Sequence, residues 1–170
     1  MKKVLLILAC GIATQLSYAQ ATPKWADKAK KAVFSIVTYD KDNKIKNTGN
    51  GFYINENGTA LSDYTLFEGA ERAVIINADS KELPVLRILG ANSMYDIVKF
   101  NTEADKKTIA LKSASQPASV GETVYLLPYS TQKAATCQTG TVTKVDTIGD
   151  KAYYYTLAMT TNEKTVSCPI

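Results

Sequence analysis

The chain has 170 residues and a formal net charge of +4, from 20 Lys and Arg against 16 Asp and Glu. This length suits one domain or two small half-domains with a buried core. The bases are scattered among the acids and form no stripe interleaved with aromatics, which argues against nucleic acid as a partner. With no histidine and three cysteines, no recognisable metal-ligand spacing exists, and Gly49-x-Gly51 precedes a strand, not a phosphate-cradling helix, so no cofactor is expected.

Met1 to Ala19 has Lys2 and Lys3, an apolar run from Val4 to Ala9 that continues weakly through Ile12 and Ala13, and Ser17-Tyr18-Ala19 as a small-x-small signal. This pattern predicts a secretory leader cut after Ala19 and a periplasmic or secreted protein. Thr14, Gln15 and Ser17 break the apolar run well short of the ~20 residues a transmembrane helix needs. Acylation of Cys10 is the minor alternative. Loss of the leader removes two lysines and lowers the formal charge to +2. It leaves Cys137 and Cys168, which either pair in an oxidising compartment or serve as small buried thiols.

Frequent Val, Ile, Thr and Tyr favour strands over helices. Thr22 to Lys31 is expected to form a short helix or ordered lead-in packed by Trp25. Ala32 to Tyr39 (AVFSIVTY) follows as a strong strand and Lys41 to Lys46 as a solvated hairpin loop. Gly51 to Ile54 alternates in the two-residue period of a half-buried strand, Asn55 to Gly58 supplies a turn able to take positive φ, and Thr59 to Ser62 returns as the second arm. Tyr64 to Gly69 has the length of one helical turn closed by glycine. Ala73 to Ala78 is a strand, Asp79-Ser80 a turn, and Leu83 to Leu89 a strand whose Pro84 places it at an edge or bulge. Asp96 directly precedes the strand Ile97 to Phe100, and Asn101 to Ser119 is a polar connection. Lys151 to Met159 is a tyrosine-rich strand in which alternation sends Tyr154 to one face and Tyr153 and Tyr155 to the other, one of these faces being core.

The stretch GNGFYINENGTALSDYTLFEGA, from Gly49 to Ala70, resembles trypsin-like serine proteases of the bacterial HtrA type, which carry G-x-G-F, a D/N-G turn and then LTNxHVVxGA. Matching Leu61, Glu68, Gly69 and Ala70 to that pattern puts Thr65 where the family has its histidine base. The family's segment with an aspartate that orients this histidine puts Asp96 at the aspartate. Val120 to Pro128 resembles the strand that opens the second barrel, and Thr139 to Val145 a later strand of it. The nucleophile motif G-N-S-G-G-P-L falls on the last residues, with Val166, or after a one-residue slip Ser167, at the serine.

The resemblance implies an all-β, trypsin-like double β-barrel with the second barrel incomplete. Residues 1–19 form the leader, 20–112 the lead-in and first barrel, and 113–170 a partial second barrel. A triad reduced to Thr65, Asp96 and Val166 or Ser167 implies a pseudoprotease that binds peptides or envelope proteins, with self-association through an open barrel edge. Two alternatives follow from the same residues: a serine endopeptidase in which a lysine serves Ser167 as base, and a truncated fragment of a longer protease-like protein.

Overall fold

The computed structural model describes residues 23–103, 108–129, 137–148 and 152–159. A single helical turn, α1 (Ala26–Ala29), runs into a 3-10 turn at Lys30–Ala32 and delivers the chain to β1 (Val33–Tyr39). β2 (Ile45–Tyr53), β3 (Thr59–Ser62), the one-turn helix α2 (Tyr64–Phe67), β4 (Arg72–Ile76), β5 (Glu82–Asn92) and β6 (Ile97–Thr102) follow. The six strands close into a barrel in the order β1-β2-β3-β6-β5-β4, through antiparallel β1–β4 and β3–β6 seams. β7 (Thr123–Leu126), β8 (Gln138–Ile148) and β9 (Ala152–Ala158) form a separate antiparallel meander. The Lys151 end of the third strand, the cysteine pairing with Cys168, and the positions Val166 and Ser167 lie outside the described residues.

Closure of the barrel is driven by burial of Phe34, Ile36, Ile75, Val98 and Phe100 in its interior. Phe34 meets Tyr53 edge-on with ring centroids 4.8 Å apart and Phe100 at 6.2 Å, the geometry that aromatic quadrupoles favour. This cluster needs a bare backbone at Gly51. A Cβ there would lie 2.6 Å from Phe34 Cε2 and 2.9 Å from the Leu61 carbonyl oxygen.

Turn chemistry sets the registers. Asn55 Oδ1 accepts from the N–H groups of Asn57 and Thr59, and Gly58 takes φ 80°, which produces the expected arm at Thr59–Ser62. Asn77 Oδ1 does the same for Asp79 and Lys81, with Ser80 at φ 60°. β2 begins at Ile45, earlier than its alternation suggests, and the polar loop is correspondingly shorter. Its Lys46, Asn47 and Thr48 lie on a solvated stretch held by the β1 ladder.

Of an edge or a bulge, Pro84 marks the bulge, because the closed barrel gives β5 a partner on either side. The proline sits where β5 passes from β4 to β6, beside a register shift at Val85 and Arg87, so its missing N–H falls at an irregularity. The three tyrosines of β9 depart from the sequence reading. Tyr153, Tyr154 and Tyr155 are 47%, 42% and 39% exposed, so neither face of the strand is core at these positions. Among the described residues β9 has β8 as its sole strand neighbour, and the Tyr155 hydroxyl accepts the Ala118 N–H at 3.3 Å.

The meander is joined to the barrel by a second, smaller apolar cluster. Leu127 packs with Ala26 and Val33, and Trp25, although half exposed, meets Tyr125 edge-on at 5.3 Å. Tyr129 donates its hydroxyl proton to the Asn77 carbonyl at 3.3 Å. Cys137 is partly buried against this cluster, and its burial pushes the thiol pKa up while the positive charge of Lys30 pulls it partly back.

Replacing Gly51 by alanine is expected to destabilise the protein by about 1–3 kcal/mol through overpacking of Phe34, read as a lower urea midpoint at unchanged slope. Burial also pushes the Tyr53 phenol up to about 12. Because the folded state holds this proton after the unfolded chain has released it, stability is undiminished below pH 10. It then falls by about 1.4 kcal/mol per pH unit between pH 10 and about 12. Tyr53→Phe should flatten that part of the alkaline stability curve relative to the parent protein.

Candidate functional site

Thr65 and Asp96 come from segments 31 residues apart and meet directly. Thr65 lies on α2, which is short because Asp63 enters it in an extended conformation and Gly69 leaves it at φ 63°. Asp96 lies in the turn of the long β5–β6 hairpin. That turn is closed by Asn92 Oδ1, which accepts from Met94 N and Tyr95 N at 3.0 and 3.2 Å. Asp96 itself has φ 52°, a left-handed conformation that aspartate tolerates better than most residues.

The Asp96 carboxylate accepts the Thr65 N–H at 2.7 Å, and both its oxygens lie 2.6 Å from Thr65 Oγ1. The Tyr64 N–H donates to the Asp96 carbonyl at 3.2 Å. Asp96 therefore satisfies two of the free N–H groups at the start of α2 from a distant loop, the task a capping side chain performs locally. At the other end of the helix, Asn47 Nδ2 donates to the carbonyls of Thr65 and Leu66 at 3.4 and 3.2 Å. Leu66 rests on the bare backbone of Gly49, where any Cβ would collide with its Cδ1, and Phe67 packs on Phe100 at 5.2 Å. Asn47 was not singled out by sequence. Its only signal is an amide two residues before the Gly49-x-Gly51 motif, on a strand reading that does not reach it.

The chemistry open to this pair is limited. A threonine hydroxyl offers one O–H donor and weak acceptor lone pairs, and it has no protonation state near neutral pH with which to relay a proton. Its proton is committed to the carboxylate that, in a triad, would orient an imidazole. Among the described residues no group of three or more Cys, Asp and Glu could hold a metal ion. A groove of about 510 Å³ lined by Lys31, Tyr53, Asn77, Asp79 and Leu83 lies at the barrel mouth where β1 begins, and contains neither Thr65 nor Asp96.

No protein-family model matches the chain, and no curated protein sequence matches it. Among solved structures, the crystal structure of the serine endoprotease from Yersinia pestis superposes with a TM-score of 0.56 at 17% identity. The match covers 70% of this chain and 43% of the other, so the chain spans less than half the length of that protein. An identity this low speaks for the fold alone. Together with the closed six-stranded barrel and the second sheet, it defines an all-β protein of the trypsin-like barrel fold.

Thr65→Val and Asp96→Gly, the latter chosen because glycine accepts φ 52° without cost, test how the pair holds α2. Urea unfolding of the two single variants and the double variant should give a coupling energy of about 1 kcal/mol for the hydroxyl–carboxylate bond. Asp96→Gly alone should cost about 1–2 kcal/mol because it also removes the cap. Purely additive effects would mean that the hydroxyl–carboxylate bond contributes nothing to stability.

Proposed function

We propose that this protein is a catalytically inactive member of the HtrA-type, trypsin-like peptidases, exported to the periplasm or beyond, that binds polypeptide instead of cleaving it. The observation that carries the reading is Thr65. In a chain without a histidine, it occupies the position aligned with the general base and bonds to Asp96 through both its N–H and its hydroxyl. Serine-protease chemistry needs a group that accepts the nucleophile's proton and returns it to the leaving amine, and threonine is no such group.

The leader-like pattern of residues 1–19 supports export. Among the described residues no helix is long and apolar enough to cross a membrane. Binding is supported by the β7–β8–β9 sheet, whose β9 edge and exposed tyrosines suit addition of an extended strand from peptides or envelope proteins. Main-chain bonds along the strand would supply affinity, and the rings a sequence-tolerant apolar surface.

A fluorophosphonate probe for activated serines should leave the purified, folded protein unlabelled, and casein should stay intact over long incubation. Stoichiometric labelling that disappears in Ser167→Ala would overturn inactivity and require a base other than histidine.

A further inference from the structure

Resting on that reading, we infer that the polypeptide completing the open sheet is a second copy of this chain, related to the first by a two-fold axis. The first barrel supplies the geometry. Its two meanders, β1–β2–β3 and β4–β5–β6, close by pairing first strand with first (β1 with β4) and last with last (β3 with β6), both antiparallel. First-with-first and last-with-last is also the relation that an isologous two-fold interface imposes on two identical meanders. β7–β8–β9 is another antiparallel meander, and among the described residues its outer strands have one strand neighbour each. Two copies brought together with β9 beside β9 and β7 beside β7 reproduce the closed order of the first barrel.

The side chains favour this occupant. Cross-strand registers place Val145 opposite Tyr155 and Thr147 opposite Tyr153, so these residues share a face. Along that face Leu126 and Val142 are buried, whereas Tyr153 and Tyr155 keep 47% and 39% of their surface exposed, the Tyr155 hydroxyl accepting the Ala118 N–H. In a closed barrel this face points inward, and the exposed rings become core. The edges are self-compatible as well: β9 (AYYYTLA) and β7 (TVYL) carry no charge and no proline. Natural edge strands meant to stay unpaired are commonly blunted by charge or proline, and an uncharged edge meets its own copy without like-charge repulsion. Tyr154 lies on the opposite, outer face, opposite Asp146 and beside the Lys144–Asp146 ion pair.

Light scattering coupled to size exclusion should give twice the mass of one chain, dissociating on dilution. Tyr153→Lys puts a charge on the inner face, harmless on an open sheet and costly in a closed barrel, and should weaken the dimer at least ten-fold. Tyr154→Lys, on the outer face, should remain dimeric, and circular dichroism of both variants should match the parent. A monomeric parent, or a Tyr153→Lys variant that dimerises as the parent does, overturns the inference. In the monomeric case, binding of fluorescent unfolded casein would show that a foreign strand fills the edge and leave polypeptide binding standing. A monomer that binds no casein would defeat both ideas, while fluorophosphonate labelling judges inactivity separately.

Discussion

The contact between Phe34 and the bare backbone of Gly51 is the constraint on which the rest of the molecule depends. An aromatic ring this close to a neighbouring strand fixes where β1 and β2 face one another, and Phe34 in turn orders Tyr53 and Phe100 around itself. Once those rings are packed edge to face the six strands have a single interior to enclose. Gly49, one pleat earlier on the same strand, does for α2 what Gly51 does for the core: it lets Leu66 settle on the strand surface. The two glycines of one short motif thus position both the barrel interior and the helix that carries Thr65.

Because α2 is one turn long, its backbone groups cannot be satisfied by the helix itself. Asp96 at one end and Asn47 at the other supply what is missing, each from a different part of the barrel. An aspartate at this place is therefore fully accounted for by capping. The same carboxylate and the Thr65 hydroxyl form a structural clamp between the β5–β6 turn and α2.

Much of this was legible in the sequence wherever a local rule had a strong physical basis. The Asn57-Gly58 turn fixed the hairpin and the arm at Thr59–Ser62, and the order of motifs placed Thr65 and Asp96, which the fold brings within hydrogen-bond distance. What escaped was decided by tertiary neighbours. The early start of β2 follows from pairing with β1, because Lys46 to Thr48 show no hydrophobic alternation of their own. Asn47 acts across the barrel surface, beyond the reach of any window along the chain. Pro84 reads as an edge or bulge residue in isolation, and barrel closure decides between the two, because β5 has strand partners on either side and a register shift follows the proline.

The tyrosines of β9 expose the limit of period-two reasoning most clearly. Alternation assigns residues to two faces, but it says nothing about whether either face is covered. In the first barrel the cover is the opposite meander, and the inward positions of β1, Phe34 and Ile36, are fully buried. In the second sheet the same alternation runs along β9 and the rings remain open to solvent. The difference lies in what stands opposite, since a meander becomes half of a barrel only when another meander faces it. The area left exposed on this sheet is of the kind that facing meanders bury in the first barrel, where it supplies the force for closure.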